Sequence, residues 1–204
     1  LLSVSASPHI RTDEDTRSIM LDVLIAMAPA LAAAAYMFGL RAVVNTAFSV
    51  LGCVFFEWAI GKYILKNKKS SLADGSAVVT GLLLAFNLPS NLPLYIIIIG
   101  ALVAIGVAKM SFGGLGQNIF NPAITGRVFL LVSFPTYMTH WEMPQGLFGV
   151  DAVSGATPLG VIKEGLMQGA TVPELMAQNG YSYSQMLFAN LGGSAGEISS
   201  IALL

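Results

Sequence analysis

An all-α integral membrane protein is the fold class this 204-residue sequence predicts, and three observations predict it. Apolar residues make up 55% of the chain and charged residues only 10%, with a mean hydropathy of +0.73, where about a quarter of an average soluble domain is charged. The apolar residues gather into runs of helical length separated by short polar stretches. Several runs are short and interrupted by glycine and proline, a pattern of broken or half helices tolerated at membrane depth only where protein or a cavity satisfies the backbone. A net charge of −1 gives no electrostatic reason for a nucleic-acid partner. The single cysteine, Cys53, forms no internal disulfide and supplies no CxxC framework, so no metal site is expected and Cys53 is read as packing.

Residues 1–18 form a polar tail, with Arg11 and Arg17 among Asp13, Glu14 and Asp15, expected on the cytoplasmic side. Residues 19–134 form a transmembrane block of about five spans, some short or broken. The first span is 19–38, with Asp22 near its start and Pro29 placed to kink it. A short turn at 39–41 leads to a second span, 42–65, long enough to cross about 30 Å of hydrocarbon. It carries Glu57, and the cluster Lys62, Lys66, Lys68 and Lys69 at its end reads as a cytoplasmic anchor.

The next segments are less regular. The apolar run 75–86 is too short to span alone and ends at Asn87-Leu88-Pro89-Ser90-Asn91-Leu92-Pro93. Run 94–108 ends at Lys109, followed by Phe112-Gly113-Gly114-Leu115-Gly116-Gln117-Asn118-Ile119-Phe120-Asn121-Pro122 and a further short run, 123–134. With the tail inside, eight of the ten basic residues (Arg11, Arg17, Lys62, Lys66, Lys68, Lys69, Lys109 and Arg127) fall on or near the cytoplasmic side, and Arg41 and Lys163 fall outside. That bias puts residues 135–190 on the outer face, an irregular loop region with a short helix at 171–178 in which Glu174 completes a capping box with Thr171. Residues 191–204 read as the start of a further span, so the chain is expected to be a fragment of a longer subunit.

Three places carry chemistry. Asp151-Ala152-Val153-Ser154-Gly155-Ala156-Thr157-Pro158-Leu159 is, from its residues alone, a small-residue turn bearing a hydroxyl. Neither His9 nor His140 stands in a recognisable motif with Ser154, which argues against hydrolase chemistry. Asn118 and Asn121 offer amide donors and acceptors suited to a ligand with a polar ring edge, and equally suited to capping half helices. Glu57 is a carboxylate at membrane depth, hence an ion-path candidate; the alternative is a structural residue supported by Asn45 or a lysine. Asp22 and Asp74 read as caps or solvated charges, and Phe55, Phe56 and Trp58 as packing or interface anchors rather than a redox chain.

Four motifs occur in order: Ala73-Asp74-Gly75-Ser76-Ala77-Val78-Val79-Thr80-Gly81-Leu82-Leu83, the loop 112–122, Ser154-Gly155-Ala156-Thr157 and Gly193-Ser194-Ala195-Gly196-Glu197. Together they resemble the RnfD family, the D subunits of Rnf complexes, related to the B subunit of the sodium-pumping quinone reductase, over essentially the whole chain. The resemblance implies an inverted-repeat bundle similar to urea transporters, with 19–134 as the first repeat and 191–204 opening the second. It implies FMN joined through its phosphate to Thr157, within an attachment motif of Asp151, Ser154, Gly155 and Ala156, on the outer face. It also implies a riboflavin in the membrane domain, for which Asn118 and Asn121 are candidates, and a non-catalytic role for every side chain. The implied function is electron transfer between ferredoxin and NAD coupled to Na+ or H+ movement in a bacterial or archaeal cytoplasmic membrane. Implied partners are the A and E membrane subunits, the flavin-bearing G subunit, the iron–sulfur B and C subunits, and a flavin transferase. The alternatives are the B-type subunit of the quinone reductase and a flavin-free transporter or channel of the same architecture.

Overall fold

The computed structural model describes residues 15–66, 71–142, 154–155, 158–167, 169–178, 193–194 and 196. Asp151, Ala156 and Thr157 of the expected attachment motif lie outside the described residues, as do the tail before Asp15, Lys68 and Lys69, residues 143–153 and 179–190 of the 135–190 loop, and most of the expected final stretch 191–204.

The first helix, α1 (Thr16–Phe38), begins three residues before the apolar run because the Asp15 carboxylate accepts a 2.8 Å hydrogen bond from the Thr16 N–H and caps it. The expected turn at 39–41 is a single residue. Gly39, at φ 67, occupies a conformation closed to most side chains, and Leu40 is already helical. From there α2 (Leu40–Ala59) continues through a π-helical turn, Ile60–Ile64, giving 25 residues in all. A 3-10 turn, Ser71–Asp74, leads to α3 (Ser76–Phe86), whose 11 residues reach about 16 Å and cannot cross a bilayer. The fourth helix, α4 (Leu94–Leu102), runs on through a wide π segment, Val103–Lys109, and a final 3-10 turn, Met110–Phe112. A second half-length helix, α5 (Pro122–Ser133), is followed by the one-turn α6 (Pro135–Met138).

Among the described residues, three helices are therefore long and apolar enough to cross a membrane, with α3 and α5 as the short ones. This is an all-α membrane protein with half helices, as its interrupted apolar runs predict. A two-residue antiparallel pair, β1 (Trp141–Glu142) and β2 (Ser154–Gly155), sets Trp141 opposite Gly155. Two short helices, α7 (Pro158–Met167) and α8 (Val172–Gln178), complete the described segments, and the Glu174 carboxylate accepts from the Thr171 N–H at 3.1 Å, as the capping-box pattern requires.

The core lies where α3 and α5 fit against the long helices. Cys53, Leu84, Ile96, Ile97, Ile105 and Leu130 form its fully buried centre. Small residues set the spacing: a Cβ at Gly81 would lie 2.6 Å from Val50 Cα, and one at Gly126 would lie 3.0 Å from the Gly100 carbonyl oxygen. The outward faces of α1, α2 and α5 stay apolar, with Ile25, Leu51 and Val132 exposed, as a lipid-facing surface requires.

Candidate functional site

On α2, Ala42, Thr46, Ser49, Cys53 and Glu57 recur every three or four residues and share one buried face. This spacing turns Glu57 into the bundle, where it is 1% exposed. A lone carboxylate there would be strongly unfavourable, and the fold supplies its counter-charge from 52 residues away. Lys109 Nζ lies 2.7 Å from Glu57 Oε2 and is itself 1% exposed. It also donates to Ser76 Oγ at 2.6 Å.

Ser76 is the first residue of α3, and its hydroxyl in turn donates to Asp74 Oδ1 at 2.7 Å, while its N–H donates to the same oxygen at 2.9 Å. Asp74, one residue ahead of the N-cap Gly75, thus takes up the first N–H of α3 and places negative charge at the positive end of the helix dipole. The result is a continuous chain of polar contacts, Asp74 to Ser76 to Lys109 to Glu57. It runs from a half-buried carboxylate to one sealed inside the bundle.

Lys109 is expected on or near the cytoplasmic side, at the end of an apolar run; the structure buries its side chain as the partner of Glu57. Of the two supports considered for Glu57, the structure shows a lysine, from another helix. Asn45 instead donates through Nδ2 to the Ser90 carbonyl at 2.7 Å. The π segment that ends at Lys109 leaves no signature in the sequence, so neither the facing of this side chain nor its partner is legible there. Lys62, five residues beyond Glu57, lies over the Trp58 ring at 4.9 Å from its centroid, which places the Phe55, Phe56, Trp58 and Tyr63 group as an aromatic cluster at a helix end.

The loop after Lys109 holds the second candidate. The Gly114 N–H donates to the Lys109 carbonyl at 3.1 Å, so the loop is fastened to the end of the charged helix. Asn121 Oδ1 accepts from the N–H groups of Ala123 at 3.0 Å and Ile124 at 3.4 Å, the capping role of an asparagine before an N1 proline. Asn118 stands outside the helix, which starts at Pro122, so the two amides do not share a helix face. Its Oδ1 is buried and has no hydrogen-bond partner among the described residues. An acceptor left in that state calls for a donor.

The far end of α3 is closed by protein. Asn87 Nδ2 donates to the Leu83 carbonyl at 2.8 Å, the Asn87 N–H to Leu84, the Leu88 N–H to Ala85, and the Gly196 N–H to Phe86 at 2.9 Å. Arg127 of α5 donates to Asn87 Oδ1 at 2.8 Å, at the opposite end of α3 from Ser76. Of the residues expected to form an attachment motif, Ser154 and Gly155 sit in the strand pair with Glu142 and Trp141.

A family model described as the NQR2, RnfD, RnfE family matches residues 3–204. The D subunit of the proton-translocating ferredoxin:NAD(+) oxidoreductase complex of Clostridium ljungdahlii is 42% identical over 205 residues, covering 100% of this chain and 60% of that protein. The D subunit of the Na(+)-translocating complex of Acetobacterium woodii is 45% identical over 207 residues, with the same coverage. The D subunit of the ion-translocating oxidoreductase complex of Erwinia tasmaniensis is 35% identical over 208 residues, covering 88% of this chain and 59% of its own. The chain thus spans about 60% of the length of these curated relatives.

Proposed function

The chain belongs to the NQR2, RnfD, RnfE family, and we propose that it is part of an Rnf-type D subunit. In this reading it is an electron-transfer membrane subunit serving exchange between ferredoxin and NAD, coupled to Na+ or H+ movement. The observation that carries this is the 42–45% identity to two such D subunits over the whole chain. One of those relatives is named for protons and the other for sodium, so identity at this level does not choose the ion. Partners under this reading are the A, E, G, B and C subunits and a flavin transferase.

A flavin exchanges one or two electrons and so joins one-electron to two-electron carriers. For the covalent FMN, Thr157 would supply the ester oxygen, with Asp151, Ser154, Gly155 and Ala156 as the attachment motif. For riboflavin, the unpartnered acceptor of Asn118 fits the N–H donor on a flavin's pyrimidine edge, while Asn121 has its oxygen committed to α5. Glu57 is assigned to the ion route, with Asp74 and Ser76 leading to it.

The polar groups sort by depth in a way that supports a cytoplasmic amino terminus and an outer flavin face. A Cβ at Gly75 would lie 3.7 Å from Met20 Cβ, which sets the starts of α1 and α3 at one level. Asn45 and Ser90 meet at the other end of α2, beside Arg41. With the lysines after α2 taken as cytoplasmic, Arg41 and residues 90–93 fall outside.

Denaturing electrophoresis under ultraviolet light tests the flavin assignment. The full-length subunit, made together with a flavin transferase, is expected to give a fluorescent band that Thr157→Val abolishes. A dark band from the unaltered subunit would sink the covalent-FMN reading.

A further inference from the structure

We propose that Glu57, Ser76 and Asp74 form a monovalent-cation site whose resident occupant is the chain's own Lys109 ammonium, a tethered plug that a passing cation must displace. The inference rests on the assignment of Glu57 to the ion route and adds its gate.

The donor set is the first argument. The ammonium is held by a carboxylate oxygen at 2.7 Å and a hydroxyl oxygen at 2.6 Å, hard oxygen donors of the kind that take small hard cations. The side chains of Glu57 and Lys109 are 0% and 1% exposed, so the ammonium stands in place of a dehydrated ion rather than beside a hydrated surface. Charge is the second argument. Among the described residues the chain of contacts brings together two carboxylates, Asp74 and Glu57, and one ammonium, a balance that favours a further positive charge. Asp74, half-buried at the outer end, is where such a charge would first be met, and Ser76 bridges it to the interior.

The third argument is how Lys109 is held. It is the last residue of the π segment Val103–Lys109, and a second π turn, Ile60–Ile64, begins three residues after Glu57. Wide turns of this kind are uncommon and each places one residue more in a turn than the α-helix does. Rewinding the segment to α geometry rotates its end by roughly 100° per residue of register, which carries the ammonium off Glu57 without unfolding the helix. The gate therefore has two arrangements within reach of one backbone.

The test uses the complete complex in sealed vesicles, with Na+ flux and H+ flux measured in the absence of electron donors. Lys109→Ala is expected to raise passive flux of one of the two ions about tenfold or more, the change expected when a modest barrier is removed. Ethylammonium, which refills the vacated volume with an untethered ammonium, is expected to suppress the leak. Ser76→Ala keeps both charges of the ion pair, so the fold tolerates it, and it is expected to leak in the same direction. Tight vesicles with Lys109→Ala, or with Ser76→Ala should the former not assemble, overturn the gate. Glu57→Gln separates the two ideas: if redox-driven ion uptake survives it, the route itself is wrong, whereas lost uptake with tight Lys109 and Ser76 variants leaves the route and removes only the plug.

Discussion

The hydroxyl of Ser49 on α2 donates a 2.7 Å hydrogen bond to the carbonyl oxygen of Gly81 on α3, across a close helix crossing in the bundle. The contact depends on the missing side chain at position 81, since a Cβ there would meet the Val50 backbone at 2.6 Å. Gly81→Ala is accordingly expected to lower stability by about 1–3 kcal/mol through overpacking, more than Ser49→Ala at about 1 kcal/mol for one neutral hydrogen bond. Thermal unfolding of the detergent-solubilised subunit reads both, and a Gly81→Ala variant as stable as the parent would mean that the helices do not cross this closely.

The helices themselves are legible in the sequence because each apolar run carries its own length signal. The breaks at Gly39 and at Pro89 and Pro93, and the caps at Asn121 and Thr171, are local chemistry that sequence displays directly. The charge chain is not legible. Glu57 stands out by its surroundings, yet its partner Lys109 reads as an interface lysine because it closes an apolar run, and a π segment decides where it points. Long-range pairing and helix winding are settled by packing, which no local pattern records. The partner of Arg127 is hidden for the same reason: Asn87 lies 40 residues back, at the end of another helix.

The Glu57–Lys109 pair predicts a strongly non-additive cycle. Lys109→Met alone leaves a buried carboxylate uncompensated and is expected to cost about 3–5 kcal/mol, and Glu57→Gln alone a similar amount. The double variant replaces the pair by neutral groups of similar volume and is expected to recover most of that loss. Additive losses, read by unfolding in detergent, would show that the two side chains do not meet in the folded protein.

Asn87 serves two helices at once, donating to Leu83 and accepting from Arg127. Asn87→Ala removes the acceptor of a charged group and is expected to cost about 1.5–3 kcal/mol. Adding Arg127→Met removes the charge that needed the acceptor, so the pair of changes should be milder than Asn87→Ala. Unfolding midpoints that fall further in the double variant would contradict this.

At the start of α8, hydrogen bonds from the Thr171 hydroxyl and then from its N–H hold the exposed Glu174 carboxyl below its ordinary value. A carboxyl whose folded value is depressed contributes stability above its unfolded value and loses it as pH falls through the folded one. The first turn of α8 is therefore expected to fray on acidification below the ordinary carboxylate range. Hydrogen exchange at Thr171 should quicken there, and Glu174→Gln should flatten that pH dependence.

The two asparagines of the loop after Lys109 separate cleanly. Asn121 Oδ1 is occupied by α5, so Asn121→Ala is expected to cost about 1 kcal/mol of stability, the ordinary value of a lost helix cap. Asn118 Oδ1 has no partner among the described residues, so Asn118→Leu removes an acceptor that was costly to bury and should be neutral or slightly stabilising in flavin-free protein. If a riboflavin donor is what that oxygen meets, acid-extractable riboflavin should fall in Asn118→Leu and persist in an Asn121→Ala protein that still assembles. The reverse result would move the ligand to Asn121, and riboflavin retained in both variants would leave the loop with its capping role alone.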